Sequence, residues 1–409
     1  MTSLFQEAGC YKDDTVCFSI DALDSFLLGS CKDPIEMATM HCLAVQDEGS
    51  IFQYGPKQGL KSFRDALAQF LKGQYKCKVS SANLVGTGGF TYGLTLVCNV
   101  LLQHGDPIFI EEPISPKALD IFKCLGYNII PVPVDEDGLN VTHLDDLVNS
   151  FSGHKRQPTA ARPYWGAVYV TPNFHDPTGA SLSTERCEKL VNIAERHNLL
   201  IISNDVYAFL AYKERTPPFG PPPLRLFSYD SSQGDEDDKA GHVISLGSFS
   251  TIFAPGLRLG WIEAPQNIIQ TLIDSPFIKY TGAPQHYMSA IIESALDLGS
   301  LEGPFASLRV TYHSRMNCLC KALKEHIPRA NFTQPKGGLF VWAKLPQNIN
   351  TKELLLACKS KFKVDFEPGR VFSAGGDWNN YLRLSLSHYG EESLVKGVRR
   401  ISEALMEIT

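Results

Sequence analysis

The chain has 409 residues, 44% hydrophobic and 20% charged, with a formal net charge of −6. This is the composition of a folded protein with room for two or three domains. The acidic balance argues against nucleic acid and anionic membranes as partners, and no apolar run approaches the roughly 18 residues that a membrane span needs.

The opening MTSLFQEAGCYKDD lacks the charged-then-apolar pattern of a secretion signal. A short helix is expected over Ala22–Leu28, and Lys32-Asp33-Pro34 reads as a turn. Leu60, Phe63, Leu67 and Leu71 recur at helical spacing within Gly59–Lys72. Leu84-Val-Gly-Thr-Gly-Gly89 then runs into a helix ending near Leu101. A glycine turn opening a helix presents free backbone N–H groups, a ready anion site. An apolar strand at Pro107–Ile110, a helix at Lys117–Leu125 and a strand at Asn128–Val134 give a βαβ rhythm. A second unit follows: strand Ala167–Val170, the stretch Thr171-Pro-Asn-Phe-His-Asp-Pro-Thr-Gly179, helix Ser183–His197 and strand Leu199–Ile202. Residues 213–241 form a long loop with a proline cluster (Pro217, Pro218, Pro221, Pro222, Pro223) and an acidic run, Gly234-Asp-Glu-Asp-Asp238. Helices are expected at Gln266–Ile273, Gln285–Leu298 and Leu301–His326, then a strand in Pro335-Lys-Gly-Gly-Leu-Phe-Val-Trp342 and another in Tyr381–Ser387. Eleven cysteines are scattered along the chain with no C-x-x-C pair. That pattern points to free thiols in a reducing compartment, the cytoplasm, and no metal site is expected.

The most informative stretch is Ser245-Leu-Gly-Ser-Phe-Ser-Thr-Ile-Phe-Ala-Pro-Gly-Leu-Arg-Leu-Gly-Trp261. Ser248, Ser250 and Arg258 bring two hydroxyls and a guanidinium fork together, good ligands for a phosphate. With TPNFHDPTG and P-x-G-G-x-F-x-W, this stretch resembles the class I/II aminotransferases, the fold-type I enzymes that use pyridoxal phosphate (PLP), in their 2-aminoadipate and aromatic branch. The resemblance covers nearly the whole chain. It implies an α/β fold: a large domain with a mostly parallel seven-stranded sheet sandwiched by helices, plus a smaller α+β domain. The expected divisions are residues 1–50 as an N-terminal arm and part of the small domain, 51–298 as the large domain and 299–409 as the small one.

The resemblance also assigns roles. Gly89, Phe90 and Thr91 fall at the phosphate cup with Ser248, Ser250 and Arg258. Tyr54 falls where a tyrosine reaches a dimer partner's cofactor phosphate. Asn173 and Arg383 fall at the grip on a substrate carboxylate, and Tyr207 neighbours the cofactor's phenolic oxygen. Four positions depart from the pattern. Thr251 stands in the slot of the lysine that forms the Schiff base, and a threonine has no amine. Asn204 stands three residues before Tyr207, where an acid should hold the pyridine nitrogen protonated; Asp205 is one residue out of register. Asp176 replaces the asparagine that donates to the phenolic oxygen, and Ser115 replaces the stacking aromatic ring. Lys279 and Lys336 are weak substitutes for the missing amine.

These departures imply a repurposed pocket for a small anionic ligand bearing a carboxylate or phosphate, in a protein that is not a conventional aminotransferase. Lysine-independent chemistry would use Asp176 as acid/base and Tyr207 as hydrogen-bond donor. Two alternatives stand beside it: a noncatalytic pseudoenzyme dimer, and a residual transaminase holding PLP or its amine form, PMP, without a covalent bond. In each case a homodimer is implied.

Overall fold

The computed structural model describes residues 14–46, 49–151, 153, 155–212, 223–230 and 241–408. Its large sheet contains β2 (Leu84–Thr87), β3 (Pro107–Glu112), β4 (Asn128–Asp135), β5 (Gly138–Leu139), β6 (Ala167–Val170), β7 (Leu200–Asn204), β8 (Val243–Ser248) and β9 (Gly260–Glu263), preceded in the chain by β1 (Val16–Cys17). The sheet order is β2-β9-β8-β7-β6-β3-β4-β5. Strands β4, β3, β6, β7 and β8 run parallel, while β9 and β5 are antiparallel to their neighbours. The seven expected strands are therefore joined by an eighth, the two-residue β5, which folds back on β4 through a short turn.

Alternation along the strands makes this a sandwich. Ile108, Ile110, Tyr169, Leu200 and Ile202 face one core, shared with the helices Phe90–Leu101, Pro116–Cys124 and Gln266–Ile273. Phe109, Val168, Val170 and Ile201 face the other, beneath the helices Val141–Ser150 and Thr184–His197. The βαβ rhythm read from the sequence is thus carried out with helices on both faces.

A second, smaller sheet pairs β10 (Phe340–Lys344), β13 (Tyr381–Ser385) and β12 (Glu367–Pro368) in the order β10-β13-β12. The N-terminal arm joins this part of the chain, because β1 pairs in parallel with β11 (Val364–Asp365). Phe18 N–H donates to the Asp365 carbonyl, and Ser385 N–H donates to the Phe18 carbonyl.

Three expectations are corrected. Lys32-Asp33-Pro34 is not a turn but the first turn of the helix Lys32–Val45. Proline is tolerated there because the first N–H groups of a helix have no internal partner. Cys17 is disulfide-bonded, against the reading of free thiols throughout, although nine other described cysteines are free. Within 213–241, residues 224–230 are built into the core: Leu226 and Phe227 are fully buried, and Arg225 pairs with buried Glu263 beside β2. Most of the proline cluster and the whole acidic run lie outside the described residues. No helix among the described residues is long and apolar enough to cross a membrane, and no metal-binding cluster of His, Cys, Asp or Glu occurs among them.

Candidate functional site

The stretch after β8 is shaped by one packing demand. A Cβ on Gly247 would lie 2.1 Å from the Trp261 ring, so only glycine lets that ring cross the strand end. Trp261 in turn stacks edge-on with Phe249, ring centroids 5.3 Å apart. With Phe249 and Trp261 buried, Ser248 and Arg258 come up against Gly89, at the start of the helix Phe90–Leu101.

Gly89 forms the floor of a cup at that point. It has φ +90°, and a Cβ placed on it would lie 3.3 Å from Arg258 Nη2 and 3.8 Å from Ser248 Oγ. The backbone therefore approaches Arg258 as closely as a side-chain-free residue allows. Ser248 is buried and its hydroxyl accepts from Ser250 N–H at 3.1 Å. Arg258 is exposed and takes left-handed backbone geometry, φ 51°. Thr91 is exposed on the first helical turn, whereas Phe90 packs into the hydrophobic core and anchors the helix start. A helix start, a guanidinium and the Ser248 hydroxyl thus converge, an arrangement that suits a phosphate.

Thr251 sits in the turn just beyond this cup. Its hydroxyl donates to the Val206 carbonyl at 2.6 Å, which ties the end of β8 to the loop after β7. The donor is committed to the backbone, so Thr251 acts as a strut.

The end of β7 resolves the acid question. Asn204 is buried, donates to the Tyr169 hydroxyl at 3.0 Å and faces the same core as Tyr169. Asp205 takes the opposite face, where it accepts from Ser203 Oγ at 3.0 Å and from Ser245 Oγ. Burial pushes its carboxyl up to about 6, against the lowering pull of the two serine hydroxyls. Asp205 does not replace the missing acid; a one-residue step has put the sheet between it and Asn204.

Arg383 and Asp176 are brought together. Arg383 Nη1 donates to Asp176 Oδ1 at 2.8 Å, and Nη2 donates to both oxygens of Asp21 at 2.9 and 3.1 Å. Lys117 reaches Asp21 from outside at 3.0 Å. The guanidinium carbon lies 4.1 Å from the Phe340 ring centroid and 4.9 Å from that of Phe372. Burial lowers the proton affinity of Arg383, but Asp176 and Asp21 outweigh it and lock the positive charge in place. Burial also raises Asp21, yet Arg383 and Lys117 hold its carboxyl below the usual range. Asp176, expected as an acid/base, is here the partner of a permanent cation. Tyr207 lies close by, edge-on to Phe340 at 5.7 Å; burial, then Asp176 and Asp21, keep its hydroxyl protonated well above the ordinary range.

Other expected site residues do different work. Asn173 exchanges two hydrogen bonds with the Leu224 backbone, at 2.8 and 3.0 Å, and so pins the neighbouring loop rather than a ligand. Ser115 is the N-cap residue of the helix Pro116–Cys124 and offers no ring. Tyr54 is 73% exposed. Lys279 lies over the ring of Tyr280, 5.7 Å away, and Lys336 lines a cleft with Trp342, Trp378 and Tyr381. Sequence reasoning missed Asp21 and Lys117. It also missed the fully buried pair beneath Asp176, where His175 Nε2 lies 3.2 Å from Glu111 Oε2.

The family described as aminotransferase class I and II matches residues 27–401. The chain belongs to that family. It is 29% identical over 357 residues to aromatic-amino-acid aminotransferase 1 of Thermococcus litoralis, covering 87% of this chain and 80% of that one. It is 28% identical over 375 residues to 2-aminoadipate transaminase of Thermus thermophilus, covering 90% and 86%. Among solved structures, a kynurenine aminotransferase of Pyrococcus horikoshii superimposes with a TM-score of 0.84 at 25% identity, covering 100% of this chain and 95% of that one. A multiple substrate aminotransferase from Thermococcus profundus gives 0.83 at 26% identity, covering 100% and 95%.

Against that family's cofactor, the residues present divide. The Gly89 cradle, with Ser248, Ser250 and Arg258 around it, fits the phosphate of PLP or PMP. The rest does not fit a covalently anchored PLP: Thr251 offers no amine, and the β7 end presents an amide bonded to Tyr169 in place of an acid.

Proposed function

We propose that this aminotransferase-family chain is a noncovalent binder of a small phosphate-bearing ligand, and that it does not transaminate in the conventional way. The observation that carries this reading is the contrast across one turn: the phosphate cup around Gly89 and Arg258 is intact in chemistry, while Thr251 beside it is tied to Val206. PMP suits the cup, since its phosphate needs no lysine; the Pyrococcus relative's structure contains PMP. Loss of a general base alone removes roughly 10²–10⁴ in rate, which makes an ordinary transamination cycle a poor account of the site.

The test is calorimetric titration of the purified protein with PMP, beside native mass spectrometry of the untreated sample. Saturable binding that falls 10–100-fold in Arg258→Met, about what losing a charge-assisted bond implies, supports the reading. A visible absorption band abolished by borohydride would sink it, because that outcome requires a covalent amine.

We further propose that the protein is a homodimer. Phe26, Met37, Met40, Phe52, Tyr54 and Tyr280 are large apolar side chains each more than half exposed, side chains that a second copy of this chain would cover. Sedimentation velocity tests this. Free thiols at nine described cysteines support a cytoplasmic setting, with the disulfide at Cys17 weighing against it.

A further inference from the structure

We infer that the arginine end of the pocket is filled by the chain itself: Asp21 and Asp176 stand where a ligand carboxylate would bind, so the ligand carries a phosphate but no carboxylate. This rests on the phosphate-pocket reading above and narrows its ligand class.

Both terminal nitrogens of Arg383 are already engaged by carboxylates of the chain. Each terminal nitrogen has a carboxylate partner within 3.1 Å, and two aromatic rings flank the guanidinium. Its remaining nitrogen, Nε, is buried without a hydrogen-bond partner among the described residues. Asp21 is no wandering surface group. The backbone before it is pinned on both sides, by Phe18 N–H to Asp365, by Ser385 N–H to Phe18 and by Ser387 Oγ to the Ile20 carbonyl at 3.0 Å. Its side chain is only 10% exposed. Asp21 and Asp176 balance Arg383 and Lys117, so no unpaired positive charge is left at this end for a ligand carboxylate. Glu367, across the β12–β13 ladder from Arg383, adds a third carboxyl to the same neighbourhood. A ligand carboxylate entering this end would meet two carboxylates already seated on the arginine, whereas an amine or neutral group would meet acceptors.

Two probes separate the possibilities, PMP and the phosphopyridoxyl adduct of leucine. They share the phosphate and ring and differ by the amino-acid carboxylate and its side chain. Affinities are measured by calorimetry for the wild type, Asp21→Asn and Asp21→Ala, with thermal melts confirming that each variant is folded. The inference expects the wild type to bind PMP at least as tightly as the adduct. It expects the adduct-to-PMP affinity ratio to rise tenfold or more in Asp21→Ala, and less in Asp21→Asn, which keeps an acceptor on Arg383. A wild type that binds the adduct tenfold more tightly than PMP overturns this inference while leaving the phosphate pocket standing. An unchanged ratio in both variants removes Asp21 from the account. Failure of the wild type to bind either probe overturns the phosphate pocket and this inference with it.

Discussion

Asn204 and Asp205 are adjacent in the chain but are separated by the thickness of the large sheet, one bonded to Tyr169 and the other held between Ser203 and Ser245. The acid that the family places under the cofactor is present in composition and absent in position. Asp205 carries a cost instead. Its carboxyl is pushed up to about 6 from an ordinary 3.8, chiefly by burial. A raised carboxyl favours the fold while neutral: its contribution is complete below the ordinary value and is lost as pH rises through about 6. Asp205→Asn should therefore leave the melting temperature near that of the wild type at pH 4 and raise it at pH 8. The gain is on the order of 3 kcal/mol before any loss from weaker bonds to the serines. Scanning calorimetry across that range checks it. A variant less stable at pH 8 would show that the charged bonds to the serines outweigh burial.

Restoring an amine gives a second prediction. Thr251→Lys breaks the strut to Val206 and costs roughly 1 kcal/mol for the lost hydrogen bond. The phosphate cup is untouched, so the variant should take up PLP and keep it through dialysis after borohydride, as seen by intact mass. Turnover with amino acids should stay far below that of an ordinary aminotransferase, because Asn204 still replaces the acid. Robust transamination from this single change would show that the other departures matter little.

Much of this was legible before any coordinates. Strands β3 and β6 announce themselves as short apolar runs, and the helix Gln266–Ile273 falls where its pattern places it. The meeting of Gly89, Ser248 and Arg258 is legible because their motifs place all three at one site. The Arg383 cluster is not, for a physical reason: Asp21 meets an arginine 362 residues away, and nothing local in either segment signals the pairing. Asn173 misleads in the same way, since an amide that serves a ligand and one that serves Leu224 look alike in sequence. The helix Val141–Ser150 went unread, although Asn140 caps it through a side-chain bond to His143 N–H.

The glycine pair at 337–338 supplies a third prediction. A Cβ on Gly337 would come within 2.5 Å of the Phe174 ring and 2.7 Å of the Leu210 carbonyl oxygen. The carbonyl is backbone and cannot swing away, so Gly337→Ala should destabilise by about 1–3 kcal/mol. Thermal denaturation measures this, and a neutral result would mean that Phe174 is not seated in the notch. Phe174 itself has φ 51°, uncommon for a bulky residue, and the seat compensates for that strain.

That seat has a kinematic consequence. Phe174 sits two residues before Asp176 and is keyed into the strand entry of the small sheet, while Asp21 is laced to that sheet through Phe18 and Ser387. Asp176 itself follows β6 of the large sheet, beside the His175–Glu111 pair, so the charge cluster rivets the small sheet to the large one. Sliding one sheet past the other would shear Arg383 from Asp176 and leave both charges buried without each other, so the cluster resists that motion.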